Sequence, residues 1–316
     1  MRVTNQMMGN SLKQNIQNNL SKLSRTQEQL STGNTILRPS DAPTDISRLM
    51  AVKAQREINK QYTQNIDDGL TYLYSTDTAL GTAGEMLAQA NELAVQGANG
   101  TLSKEDMQAI GEQIDKMIDE MVDVANTTAG GKYIFAGRTN SQPPFYRDPS
   151  DPDKIMYRGD LKRISREIAN LSEHTVDAPG VLGGEKGVFG EIDAAQLEAD
   201  SEAEVTDGVF KTLIDLRDAL NSGDHEAVNN MVDDIQSTTD HILVQRVAVG
   251  ARTRHFEAVK DQMTDQEIRL SQVMQDIQSA DIARLSIDFG QQQLTYQATL
   301  SAGANIMQTS LLNFLK

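Results

Sequence analysis

The 316-residue sequence has no cysteine and no tryptophan, and aromatic residues make up only 4% of it. Without cysteine there is no disulfide framework and no thiolate zinc site. A compact enzyme core usually draws on more large rings; here 13 methionines stand against 7 phenylalanines, a mixture suited to long packed helices. Cations are scarce too. Lys and Arg number 29 against 45 Asp and Glu, for a formal net charge of −16. A nucleic-acid binder needs a basic footprint to meet phosphates, and no Lys/Arg cluster of that kind occurs. An anionic membrane surface would repel the chain for the same reason.

Long apolar runs are also missing. The opening MRVTNQMMGNSLKQNIQNNL has no continuous apolar block and no small-residue cleavage pattern, so it does not read as a secretory signal peptide. Phe289–Leu315 carries no charge over 27 positions, but twelve of these are Gln, Asn, Ser or Thr. A membrane span needs about twenty predominantly apolar residues, so this stretch is not one.

Helical periodicity dominates what remains. Leu12, Ile16, Asn19, Leu23, Thr26 and Leu30 follow 4-3-4-3-4 steps, a heptad seam with polar members at 19 and 26. Gly33 stands where a left-handed cap belongs, and Arg38 before Pro39 is biased towards an extended conformation. Ser40 or Asp41 is placed to cap the next helix, with Pro43 tolerated in its first turn. Gly33, Pro39, Ser40, Asp41 and Pro43 therefore read as a hinge. From Thr44 an apolar face runs through Ile46, Ile58, Ile66, Leu73, Leu80 and Leu87; continuous to Asn99, it makes a rod about 84 Å long. After a turn at Asn99–Thr101, Ser103 and Asp106 form a capping-box signature ahead of a stripe from Met107 to Val124.

At Gly130 the texture changes. Five of the seven prolines fall between 143 and 179, and short alternating runs such as Lys154–Tyr157 and Leu161–Ile168 are separated by Gly, Pro and Asp clusters. This predicts a small β-rich insertion, with Glu198–Asp207 as an acidic linker after it. Helices resume at Val209 and continue through His255, Met263, Leu270 and Ile277. The final segment carries Leu300, Ala304, Met307, Leu311 and Phe314 in 4-3-4-3 steps. The expected fold is mainly α with a β-rich insertion. Its parts are a terminal coiled-coil domain (1–43 with 279–316), a long helical rod or bundle (44–130 with 205–278) and a small outer β domain (131–204).

Candidate chemistry is thin. His174, His225, His241 and His255 show no metal-ligand spacing. Asp115, Asp119, Glu120 and Asp123 gather carboxylates on one helix, but opposite its apolar stripe, as a solvated face should. Asp148, Asp151 and Asp153 share a turn without the central Gly and closing Glu of a calcium loop. Gly183–Gly187 lacks phosphate-loop spacing. Asn126-Thr-Thr128 fits a glycosylation sequon. The sequence therefore points to neither an enzyme nor a cofactor or metal site. The amphipathic ends are the informative feature. A helix uncharged all round is normally buried, and a two-helix tip cannot bury it, so contacts with neighbouring subunits are expected. Leu12, Ile16, Leu23, Leu30, Leu300, Met307, Leu311 and Phe314 are the candidate assembly contacts.

LSTGNTILRPSDAPTD (30–45), ELAVQGANGTLS (92–103) and YQATLSAGANIMQTSLLNFLK (296–316) resemble the N-terminal hinge, the rod turn and the C-terminal assembly helix of the bacterial flagellin family. GGKYIFAGRTNSQPPF (130–145) and MRVTNQMM are similar to its hook-filament junction branch. The resemblance implies an extracellular structural subunit of the flagellum, exported by the flagellar type III pathway without a cleaved signal and guided by an export chaperone. It would form a self-assembled ring of about eleven copies, joining hook-associated protein 1 to flagellin, with no nucleic-acid or membrane partner. The terminal helices Thr4–Ser31 and Ser279–Leu315 would fold into a coiled-coil tube on assembly. A minor flagellin is the alternative within the family.

Overall fold

The computed structural model describes residues 2–170 and 172–312. In chain order the elements are α1 (Arg2–Thr32), α2 (Pro43–Gly97), α3 (Lys104–Ala125), β1 (Thr128–Ala129), β2 (Lys132–Tyr133), β3 (Phe145–Arg147), β4 (Ile155–Tyr157), β5 (Ser165–Ala169) and β6 (Ser172–Thr175). There follow β7 (Val181–Gly183), β8 (Gly190–Ile192), α4 (Ala194–Asp200), β9 (Ala203–Asp207), α5 (Val209–Ser222), α6 (His225–Gln278) and α7 (Ile282–Leu312). Long helices with a small β-rich region confirm the expected fold class. No helix among the described residues is long and apolar enough to cross a membrane. By packing, the chain forms two units: Met1–Asn59 with Asp265–Lys316, and Lys60–Thr264.

The second unit holds most of the core. Within α6, Val228, Ile235, Ile242, Val249, Phe256 and Met263 are buried at strict seven-residue intervals. In α2, Gly69, Thr76, Ala83, Ala90 and Gly97 recur with the same spacing, and all are small. The two sets fit each other as knobs and holes. A methyl group added at Gly69 would strike the Phe256 ring, and one at Gly97 would strike Leu220 and come near Val228. Large residues on one helix thus need near-absent side chains on the other, which gives the in-helix glycines a packing reason. Ion pairs flank this contact, Arg246–Asp77 at 3.0 Å and Lys260–Asp67 at 2.8 Å.

α3 begins with the predicted capping box, in which Ser103 and Asp106 satisfy each other's backbone N–H groups. Its stripe, Met107, Ile110, Ile114, Met117, Ile118 and Met121, is buried. Beyond α3, Asn126 joins helix to sheet: its amide donates to the Phe145 carbonyl (2.8 Å) and accepts from the Phe145 N–H (3.0 Å). The amide of the predicted sequon is therefore engaged by the fold.

Five strands form one sheet in the order β3-β4-β9-β8-β7, antiparallel except for β7–β8, and β1–β2 and β5–β6 are separate hairpins. Gly130 and Gly131, both at positive φ, make the two-residue turn of the first hairpin. The scarce aromatics concentrate where the sheet meets α5. Phe145 lies 5.5 Å from Phe210 and 5.6 Å from Phe189, and Phe135 packs edge-on to Phe189 at 4.9 Å. The acidic stretch 198–207 is not a linker. It ends α4 and supplies β9, which lies between β4 and β8. Ala203 and Val205 are buried, while Glu202, Glu204 and Thr206 alternate with them on more exposed positions. The excess of acidic residues hid a period-two pattern.

Candidate assembly surface

In the first unit α1 and α7 run antiparallel. Leu12, Ile16, Leu23 and Leu30 lie half-buried on the predicted heptad face of α1. The polar members of that heptad meet polar partners. Asn19 Nδ2 donates to Thr299 Oγ1 at 3.0 Å, and the Thr26 hydroxyl, 3.1 Å from the Lys22 carbonyl, also reaches Gln292 Oε1 at 2.9 Å. A polar pair inside an otherwise apolar seam fixes register, because a shifted pairing leaves its groups unmatched. Gly303 faces Leu12, and a methyl group there would come within 2.9 Å of Leu12 Cδ2.

The inward face of α7 therefore comprises Leu285, Phe289, Gln292, Tyr296, Thr299 and Gly303, all buried or half-buried. The face expected from the sequence, through Leu300 and Ala304, lies one position away, and Leu300 is 42% exposed. Met307 and Leu311 fall within the α7 backbone, but their side chains, like Phe314 as a whole, lie outside the described residues. Among the described side chains of this helix, Ile287 and Leu294 are the most exposed large apolar ones, at 72% and 68%. On α1, Met7, Met8 and Leu20 are exposed as well. Among the described side chains of α1 and α7, only Thr26 and Gly303 are fully buried. Among the described residues the pair thus leaves seven large apolar side chains exposed, Met7, Met8, Leu20, Ile282, Ile287, Leu294 and Leu300, with no charge on α7 from Phe289 onwards.

The joint between α1 and α2 is laced. α1 ends at Thr32, and Gly33 adopts φ +70 with its N–H on the Gln29 carbonyl (2.8 Å), the expected left-handed cap. Asp41 does not cap α2, as the sequence suggested. Its carboxylate turns back and accepts the N–H groups of Leu37 (3.2 Å) and Arg38 (2.9 Å), while Arg25 of α1 pairs with it at 3.0 Å. The Arg38 N–H bond, foremost among these, holds the Asp41 carboxyl below its ordinary range. Ser40 and Pro39 are exposed in the joint, and Pro43 opens α2. The joint is also zipped to the end of α6 and the connection that follows it: Thr35 N–H donates to the Gln278 carbonyl (2.8 Å) and Ala280 N–H to the Gly33 carbonyl (2.9 Å). Ile36 and Leu49 are buried in this unit.

Three of the acidic groups weighed for chemistry, Asp115, Asp119 and Asp153, are committed to arginines. Arg217, with only 9% of its side chain exposed, pairs with Asp115 (3.1 Å), Asp153 (2.7 Å) and Asp218 (2.7 Å). Arg147 pairs with Asp115 (2.9 Å) and Asp119 (3.3 Å). Burial pushes the Asp115 carboxyl up, but the Arg147 and Arg217 hydrogen bonds outweigh it and hold the group below 3.8. Two histidines distant in sequence do meet, His174 and His255, ring to ring at 4.8 Å. No cluster of His, Cys, Asp or Glu suited to a metal occurs among the described residues.

Comparison with known proteins gives four results. Residues 3–140 match the family of the bacterial flagellin N-terminal helical region. Over 338 aligned positions spanning all of both chains, the sequence is 25% identical to flagellar hook-associated protein 3 of Escherichia coli K12. It is 29% identical to a flagellin of Salmonella derby, over 73% of this chain but 48% of the flagellin. Among solved structures, flagellar hook associated protein-3 of Legionella pneumophila superposes with a TM-score of 0.58 over 72% of this chain and 98% of that one. At 15% identity that superposition speaks for the fold alone.

Proposed function

Residues 3–140 are flagellin-like and the chain is similar from end to end to a flagellar hook-associated protein 3; on that footing we propose that it is a structural subunit of the bacterial flagellum. Its place would be the junction layer, joining the hook, through hook-associated protein 1, to the flagellin filament. The observation that carries this reading is the undercovered α1–α7 pair. Two 31-residue helices leave Ile287, Leu294, Leu300 and Leu20 exposed, a surface that neighbouring copies would bury. Their seam is short of buried large side chains, so the pair alone gains little from pairing and much from assembly.

In this reading the copies form a ring of about eleven, as expected for one turn of a flagellar lattice. The chain leaves the cell by the flagellar type III route with an export chaperone. The joint at Gly33–Asp41 and the C-terminal helix, including Met307, Leu311 and Phe314, serve assembly rather than catalysis. Full-length agreement with hook-associated protein 3, against 48% coverage of a flagellin, favours junction over filament subunit. Deleting residues 301–316 tests the assignment. Cells bearing the truncated chain should be non-motile and release unassembled flagellin. Normal filaments and motility would refute it.

A further inference from the structure

The β-rich part of the second unit is divided by charge. Residues 131–170 hold eight Lys and Arg against five Asp and Glu, a net +3, whereas 171–207 hold one lysine against ten Asp and Glu, a net −9. The basic half builds a cleft of about 490 Å³ with Tyr72 in its lining and Lys132, Arg138 and Arg166 around it. α2 supplies Tyr72 and Asp68, β2 supplies Lys132, and β5 supplies Arg166. Two other arginines of this region are matched, Arg163 with Asp177 and Arg147 with Asp115, while Arg158 lies over the Tyr146 ring. Among the described residues, the three cleft cations have no carboxylate within ion-pairing distance, and Asp68, the one acid in the lining, pairs with none of them. In a chain of net charge −16, leaving three cations together without ion-pair partners is a distinct feature.

The acidic half has the reverse character. Glu185, Glu191, Glu198 and Asp200 follow β7 or lie on β8 and α4, and no described cation pairs with them. β7 is an edge strand of the five-stranded sheet, and no residue lining the cleft belongs to that sheet or to α4. One molecule therefore presents an unmatched basic cleft and an unmatched acidic edge on different elements. We propose that the Lys132–Arg138–Arg166 cleft receives the acidic β7–β8–α4 edge of a second copy of this chain. The occupant follows from charge complementarity, since complementary potentials set pairing and register between surfaces. The contact needs only copies of this chain, so a protein located elsewhere than the flagellum would pair in the same way.

Charge reversal in two halves tests it on the purified full-length chain. One variant carries Lys132→Glu and Arg166→Glu; the other carries Glu198→Lys and Asp200→Lys. Sedimentation velocity at low salt should show reversible association of the wild type that fades as NaCl is added. Each variant alone should associate about tenfold more weakly, because like charges now meet. An equimolar mixture of the two should regain association, since each cleft finds an edge of opposite sign. A misfolded variant could not be rescued by mixing, and far-UV circular dichroism checks the fold independently. Wild type that stays monomeric at low salt, or variants that associate as wild type does, would overturn the proposal. So would a mixture that fails to recover while both variants remain folded. Saturable heat on titration with inorganic phosphate, with association unchanged by the reversals, would assign the cleft to a small anion instead.

Discussion

The polar pair between Thr26 and Gln292 yields a change of sign that few other seam positions would give. Thr26 is 6% exposed and its hydroxyl is shared between the Lys22 carbonyl and Gln292 Oε1. Thr26→Val keeps the shape and removes the hydroxyl, so Gln292 loses its partner across the seam. An ordinary hydrogen bond contributes about 0.5–1.5 kcal/mol net. Gln292 is only half-buried and can turn to water, which puts the cost at the low end, about 0.5–1 kcal/mol. Gln292→Leu alone leaves the Thr26 hydroxyl on Lys22 and should be close to neutral. The double variant replaces a polar pair by an apolar one and should gain about 1 kcal/mol over wild type from burial. The two changes are thus coupled by about 1.5–2 kcal/mol, and Thr26→Val should switch from destabilising to stabilising. Urea unfolding of all four proteins, followed by far-UV circular dichroism, measures this. Because the seam then keeps only the Asn19–Thr299 pair to specify register, swarming of cells carrying only the double variant should fall although the protein is more stable. Additive stability changes, or a stabilised double variant with full motility, would refute the reasoning.

The arginine network sets two further expectations. Arg217→Met leaves Asp115, Asp153 and Asp218 without a shared cation; removing one partner of a fully buried pair costs about 3–5 kcal/mol, but these carboxylates are more than a third exposed, so solvent screening reduces the loss to about 1–3 kcal/mol, readable as a lower urea midpoint. Asp115 is held below 3.8 in the folded chain, so its contribution is present above about pH 4 and is lost as pH falls through its folded value; Asp115→Asn should therefore be less stable than wild type at neutral pH, with the two converging in acid unfolding curves.

Legibility in the sequence followed the contrast between polar and apolar positions. α3 could be read to its cap because an acidic face opposes a clean stripe and Ser103 and Asp106 mark its start. The heptad of α1 was legible for the same reason. α7 was not, because it has almost no charge to mark the solvent side, and its inward positions include Gln292, Thr299 and Gly303 while Leu300 points elsewhere. Hydrophobicity alone then selects a neighbouring face. In α6 the sequence pattern runs through His255 and Met263; Met263 belongs to the buried seven-residue series, but the member before it is Phe256, one residue beyond His255. Asp41 looked like a cap because its type and position suit one; only the folded joint shows its carboxylate bound to Leu37 and Arg38. The basic cleft was beyond sequence reading altogether, since it joins α2, the first hairpin and β5, which are separated by long stretches of chain.

Immunogold labelling of isolated flagella with an antibody against this chain tests the junction assignment most directly. The account predicts a single narrow band where hook meets filament. Label spread along the filament would contradict it and make the protein a filament subunit.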